Sequence, residues 1–478
     1  MQNIPFPAVS RRSLLKLCGF AALAPHSYGQ SANNTVRLGF IGCGRRAHDL
    51  VKLFGKIKEV SIVALSDPDP AQMDSLAAAL SGNTTRLEKI QDYRKLLEKS
   101  DIDAVVIASP NHWHTLHAIH AMQAGKDAYL EKPVTHDLWE GQQLLAAESK
   151  YGRIIAAGLQ SRSDPGVQNG VAYINEGKLG KILGVHICCL KERDSIGKSA
   201  QAIMPPTGTD YNLWLGPAAE LPLFRGEFHY DWHWAWNTGN GDIGNQAPHE
   251  IDIANRVLGD PGLPKSIRSF GGRFGWDDAG ETPNLQAASY LLGGIPVIIE
   301  VNNLKLAPAR NTVGTRDGIR IGVVVRCEGG QLRGGMGGMY AVADDGKTTL
   351  EKFPGDGGAG HQENFINAVR SRRHDAIASP LSTAVNATAI AHAANVSYRS
   401  GSPTDEESIL KSFEQLPALG SILADQSKQL ADWGISTPQY TLGRGIELEA
   451  TTAAALTPGI DPTYSRRACR AEFTIPEV

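Results

Sequence analysis

Val36-Arg37-Leu38-Gly39-Phe40-Ile41 runs directly into Gly42-Cys43-Gly44-Arg45-Arg46-Ala47, and this junction decides the fold. The first six residues, rich in branched and aromatic side chains, suit a strand buried on both faces of a parallel sheet. The Gly-x-Gly-x-x-Ala run that follows fits a strand-to-helix turn. Its first glycine permits a tight bend, its second lets a pyrophosphate approach the backbone, and the small sixth residue lets helix and strand pack closely. The N-terminus of the next helix would face the phosphates. Asp67 ends the following strand, 60–66, near the usual offset of about 20 residues. A carboxylate there accepts hydrogen bonds from ribose hydroxyls and repels a 2′-phosphate. The junction therefore reads as a Rossmann domain holding NAD, with NADP kept as the other option because Arg45 and Arg46 could meet an extra phosphate.

Outward from this turn, residues 35–158 alternate short apolar runs with amphipathic stretches. Strands are expected at 104–109, 128–130 and 154–157, and helices at 112–124 and 137–151, the pattern of a doubly wound parallel sheet. Beyond residue 160 longer β-like runs take over, at 183–190, 266–274, 285–292, 297–301 and 319–327. They predict an α+β C-terminal domain with an open, largely antiparallel sheet. Helices at 246–258, 362–370 and 383–398 are expected to cover one face and leave the other to a partner subunit, giving a homo-oligomer. Glycine-rich 334–338 and 355–360 read as loops. The α/β chain thus divides into 1–32, 33–158 and 159–478.

With 47 basic and 50 acidic residues among 478, a net charge of -3 and no long run of one sign, a nucleic acid or membrane surface is a poor partner. A small molecule fits better. Six cysteines without CxxC spacing suggest neither a zinc site nor a disulfide framework. Ser10-Arg11-Arg12-Ser13-Leu14-Leu15-Lys16 precedes an apolar run, 17–24, too short to cross a bilayer. The arginine pair resembles a twin-arginine export signal, cut near 24–32, so a periplasmic protein with no membrane span after cleavage is expected. The bland alternative is a tail with a chance arginine pair.

Two further segments, Ala108-Ser109-Pro110-Asn111-His112-Trp113-His114 and Glu131-Lys132-Pro133, follow buried strands, at the sheet edge where open α/β folds bind ligands. With the glycine turn they make the chain resemble the Gfo/Idh/MocA oxidoreductases, specifically over 35–160 and more loosely beyond. The resemblance implies that Lys132 reaches both nicotinamide and the reacting carbinol. It also picks out Gly241-Asp242-Ile243-Gly244-Asn245-Gln246-Ala247-Pro248-His249, with His249 as acid/base. Asn245 stands where the family has an aspartate, one helical turn before the histidine, and is expected to hold the ring without supplying charge.

The cofactor set is then Gly42, Gly44, Arg45, Arg46, Ala47, Asp67, Ser109, Pro110, Asn111, His114, Glu131 and Lys132, and the catalytic set Lys132, His249 and Asn245. Gln160, Arg162, Trp232, His233 and Trp236 are assigned to substrate. Trp232, Trp234 and Trp236 share a face if the segment is extended, for sugar stacking or equally for core or interface. His112, His114, His117 and His120 lack a matching carboxylate motif and read as no metal site.

These residues predict hydride exchange with a carbohydrate secondary alcohol. Twin-arginine export carries folded proteins, and no soluble NADH pool lies outside the cytoplasm, so a redox-neutral cycle on a tightly held cofactor is expected. One form oxidises one sugar and reduces another carbonyl. A second, as in the related NAD-dependent glycosidases, uses transient oxidation and elimination and needs another base, for which Tyr173, His229 and His233 are candidates. A non-enzymatic sugar-binding protein is the third reading.

Overall fold

The computed structural model describes residues 35–80 and 87–478. The arginine pair and the 1–32 segment lie outside the described residues.

The first sheet holds β1 (Val36–Ile41), β2 (Val60–Ser66), β3 (Glu88–Ile90), β4 (Ala104–Ile107), β5 (Asp127–Leu130) and β6 (Ile155–Ala157). They pair in parallel in the order β3-β2-β1-β4-β5-β6. The order reverses between β1 and β4, which opens a crevice at their carboxyl ends. Helices α1 (Arg45–Phe54), α2 (Pro70–Ala79), α3 (Tyr93–Leu97), α4 (His114–Gln123) and α5 (Leu138–Tyr151) connect them. Alternation within a strand divides the core. Val106 packs with Phe40, Phe54 and Tyr129 on one face, while Val105 and Ile107 pack with Leu116 and Ile119 on the other.

The second sheet comprises β7 (Ile182–Leu190), β8 (Ser266–Gly272), β9 (Leu285–Leu292), β10 (Ile295–Asn302), β11 (Ile321–Cys327), β12 (Gly330–Gly335), β13 (Gly338–Val342), β14 (Thr349–Pro354), β15 (Ser402–Thr404), β16 (Tyr440–Leu442) and β17 (Ile446–Glu447). Its order is β14-β13-β12-β11-β7-β10-β9-β8-β16-β15, with β17 beside β8. β7 and β10 run parallel and the other pairs antiparallel, as the sequence predicts. The remaining helices are α6 (Pro165–Asn175), α7 (Tyr211–Leu215), α8 (Gly241–Asn245), α9 (Ala247–Val257), α10 (His361–Ser371), α11 (Leu381–Arg399), α12 (Glu406–Ser412) and α13 (Pro417–Asp432).

Four expectations need correction. Only α9 and α11 of the three expected covering helices lie on the second sheet; α10 sends Phe365 and Ile366 to the first sheet, beside Phe40 and Phe54. The face left for a partner is partly filled from within the chain. Phe270, Leu285, Ala287 and Ile298 point away from α9 and α11 and meet Ile409, Leu419, Ile422 and Leu423 of α12 and α13, since apolar residues occupy both alternating registers there. Residues 334–338 are a hairpin between β12 and β13, not a plain loop, and Gly334, Gly337 and Gly338 take positive φ there.

Finally, the end of the chain returns to the first sheet. Phe473 and Ile475 join the cluster of Trp113 and Leu116, and the buried Arg467 guanidinium donates to Glu140 and to the His112 carbonyl. The 33–158 segment therefore completes its core with residues 361–371 and 467–475. Among the described residues no helix is long and apolar enough to cross a membrane.

Candidate active site

One cleft of ≈ 790 Å³ runs from the β1–β4 crevice to the carboxyl end of β7, within the usual range for small-ligand sites. Gly42 sits at φ +87, and a Cβ added to it would lie 2.5 Å from the Ser109 nitrogen, so the turn demands glycine. Gly44 caps α1, and nothing lies within 4 Å of where its Cβ would be. That open space before a helix N-terminus is a phosphate cradle. Ala47 is fully buried beneath it and packs the helix on the sheet, so it shapes the turn without lining the cleft.

Asp67 accepts hydrogen bonds from the backbone nitrogens of Cys43 (2.8 Å) and Asp69 (2.9 Å), while burial pushes its carboxyl up to about 6. Near neutrality it is mostly ionised, in position to accept from ribose hydroxyls and oppose a 2′-phosphate. Glycine turn, open cradle and buried acid together fit NAD. Arg45 is exposed at the cleft edge. Arg46 is committed elsewhere: its Nε donates to Glu131 (2.7 Å). Burial alone would raise Glu131, and Arg46 and Lys132 more than offset it, holding the carboxyl below its ordinary range.

The rim over the nucleotide end comes from far along the chain. His229 Nε2 meets Asp69 Oδ2 at 2.7 Å. The Asp210 nitrogen donates to the Pro68 carbonyl, and Gln91 donates to the carbonyls of Pro68 and Gly208. Ser109, Pro110, Asn111 and His114 all line the cleft, with His114 braced between the Pro133 and Ser109 carbonyls. The four histidines of this region have separate partners, His112 among backbone carbonyls, His117 at Ser109 and His120 at Tyr93. His136, Asp137 and Glu140 lie within 4.8 Å of one another, but Arg467 already sits on Glu140 (2.9 Å), which opposes a cation there.

At the other end Lys132 Nζ donates to the Asn245 carbonyl (2.7 Å) and Oδ1 (3.3 Å). That carbonyl belongs to the last turn of α8, where unpaired carbonyls favour a cation. Burial brings the ammonium down to about 8, against the opposing pull of Glu131. His249 also lines the cleft. Burial, then the charges of Lys132 and Arg46, hold its imidazole well below the ordinary value, so it is neutral at pH 7. Its Nδ1 is buried without a partner among the described residues.

Asn245 does not hold the His249 ring as expected. Gln246 breaks the chain between α8 and α9, so the one-turn relation fails, and the amide serves Lys132 and Asp242 instead.

The substrate assignments divide. Trp232 and His233 line the cleft, stacked with ring centroids 3.6 Å apart. Gln160 lines it as well; with its amide oxygen turned toward Arg46 (2.7 Å) and Tyr129, it steadies the Arg46–Glu131 pair. Arg162 is spent on Asp252 and Asp260 away from the cleft. Residues 231–234 form a 3-10 turn rather than an extended run, so the three tryptophans do not share a face. Trp234 packs under Arg193, and Trp236 meets Arg399 outside the cleft. Of the extra-base candidates, Tyr173 packs on Phe353 in the second-sheet core, and His229 is tied to Asp69. His233 remains, but burial takes its imidazole down to about 3.

Several cleft residues were not anticipated. Lys191 and Arg193 follow β7, Arg193 gripped by Asp242 (2.8 and 2.7 Å) and donating to the Tyr230 hydroxyl (2.8 Å). Gln246 donates to buried Glu250, and Met336 reaches the cleft from the β12–β13 hairpin. Only position signals them: Lys191 directly follows a strand, at its carboxyl end.

Residues 36–159 match the model of the Gfo/Idh/MocA oxidoreductases, described as an oxidoreductase family with an NAD-binding Rossmann fold. The resemblance carried by the motifs thus stands over residues 36–159, which form an NAD-binding Rossmann domain of the kind that model describes. The chain is 30% identical over 157 residues to inositol 2-dehydrogenase 4 of Saccharopolyspora erythraea, covering 32% of this chain and 45% of that protein. It is 37% identical over 119 residues to a glycosyl hydrolase family 109 protein of Shewanella pealeana, covering 23% and 26%. In each case the chain spans less than half of the relative. Among solved structures, the WlbA dehydrogenase of Bordetella pertussis, in complex with NADH and UDP-GlcNAcA, superposes with a TM-score of 0.56 at 20% identity. It covers 76% of this chain and 97% of that one, a likeness of fold.

Proposed function

We propose that this is an exported, periplasmic oxidoreductase that exchanges hydride with a secondary alcohol or ketone of a carbohydrate on tightly held NAD, with no net redox change. The observation that carries the reading is Lys132: a half-buried lysine, brought to about 8, in the same cleft as the Gly42–Gly44 cradle. A nicotinamide bound there supplies a hydride acceptor and donor. Lys132, when neutral, accepts the hydroxyl proton of the carbinol, and its hold on Asn245 fixes where that proton goes. His249, neutral and at the cleft wall, donates to or accepts from the same oxygen. The Trp232–His233 stack offers an apolar face to a sugar ring. The Asp210–Pro68 and His229–Asp69 contacts, which close the nucleotide end, support slow exchange of the cofactor.

The elimination route of the NAD-dependent glycosidases is the second reading. It is favoured by the family 109 relative, whose match lies, like that of the dehydrogenase, in only part of the chain. A homo-oligomer is proposed through the part of the second sheet that α12 and α13 leave uncovered. The deciding experiment follows absorbance of enzyme-bound NADH across a panel of sugars and glycosides. Reduction by a free sugar, reversed by a ketose, supports the first reading. Release of an aryl aglycone with deuterium incorporated beside the oxidised carbon supports the second. Protein purified without nucleotide, exchanging it at micromolar affinity, would refute the redox-neutral cycle.

A further inference from the structure

The reacting end of the cleft carries more positive charge than a neutral sugar needs. Arg46 is paired with Glu131, and Arg193 with Asp242. Lys132 is held by Asn245, and Lys191 touches only the Gln246 amide oxygen, at 3.1 Å. Among the described residues Lys191 makes no ion pair. An ammonium has three donors, so two of those on Lys191 are free. The side chain is half-buried and lines the same cleft as Lys132. The two ammonium groups rest on adjacent residues of one turn, Asn245 and Gln246.

The nearby acids do not cancel this charge. Asp242 is taken by Arg193 and Asn303. Glu250 lies behind Gln246, and burial pushes its carboxyl up to about 7, so near neutrality it gives only part of a counter-charge. A half-buried cation without a counter-ion is costly, and a cleft built around one is complementary to an anion. Burial lowers Lys191 below the ordinary lysine range, with Arg193 adding to the effect, a displacement that a bound anion would reverse.

Resting on the carbohydrate reading above, we propose that Lys191 receives a carboxylate on the substrate, so that the site selects acidic sugars over their neutral counterparts. A carboxylate is favoured over a phosphate ester because a single point charge is offered. Arg193, whose fork would suit a phosphate, is turned onto Asp242 and Tyr230.

The test uses NAD-loaded full-length protein and matched probes: glucose with glucuronate, galactose with galacturonate, and the corresponding hexose 6-phosphates. Binding is measured by calorimetry, and reduction of bound NAD separately by absorbance. One uronate should bind at least about 10-fold more tightly than its hexose, a ratio that falls with added salt. Lys191→Met should bring the ratio near one, and Lys191→Arg should retain most of it. If the uronate binds through Lys191 but no sugar reduces the cofactor, the carboxylate site stands and the oxidoreductase reading fails. The carboxylate site is overturned if no uronate outbinds its hexose, if the phosphates are preferred, or if Lys191→Met lowers turnover of acidic and neutral sugars alike, as for a proton-transfer group.

Discussion

The two ends of the cleft are built by different means. The nucleotide end is mostly backbone, a glycine turn and a helix start closed by acids, Asp67 and Asp69, in the short connection from β2 to α2. The reacting end is mostly side-chain charge, with Lys132, Lys191, Asn245 and His249 drawn from three separate segments. Backbone shape recognises what is common to every cycle, the cofactor. On the proposed function, placed charges do the chemistry, and they can change without disturbing the turn.

If that division holds, the largest effect should come from Lys132→Ala. Turnover should fall about 1000-fold, within the range for loss of a general base, while NAD still co-purifies. Loss of NAD in this variant would merge the two ends. The converse change is Gly42→Ala, which puts a Cβ 2.5 Å from the Ser109 nitrogen at φ +87. It should cost about 3 kcal/mol of stability in chemical denaturation, from the strained backbone and the clash, and weaken NAD about 100-fold.

A smaller change tests the reacting end alone. Oxidation needs neutral Lys132, so kcat/KM for an alcohol should rise with pH and level off above about 8. Asn245→Asp sets a carboxylate beside the ammonium, favours its charged form, and should move the midpoint upward by about one unit. An unmoved midpoint would separate Asn245 from Lys132. The smallest effect is expected from Trp236→Ala. Because Trp236 packs on Arg399 outside the cleft, sugar kinetics should change less than about 2-fold, the usual outcome away from a site.

The parts legible in sequence were those with a local cause. β1 and β2 fall at their expected bounds and the other predicted strands within a few residues, because apolar runs between turns force the choice. β3 and β14 were missed because their residues are largely exposed and carry no such run. α12 and α13 were missed although α13 turns a buried stripe, Leu419, Ile422, Leu423 and Leu430, toward the sheet. The misplacement of Asn245 had a readable signal. Pro248 lies in the first turn of α9, where proline favours a helix start, so it marks a new helix beginning after Asn245 rather than one running through it. Lys191 had only its position after a strand as a signal, and Lys191-Glu192-Arg193 otherwise reads as an ordinary solvated turn.

The sequence alone determined the Rossmann turn and its NAD-binding class, because both rest on residues close in the chain and a fixed backbone shape, and it marked Lys132 through the resemblance carried by Glu131-Lys132-Pro133. Only the tertiary structure decided that Asn245 serves Lys132, that Arg162 and Trp236 lie away from the cleft, and that Lys191 faces it without a counter-ion among the described residues. Those facts depend on which distant segments come to share one low-dielectric space, and a side chain's charge acquires its meaning only from what shares that space with it.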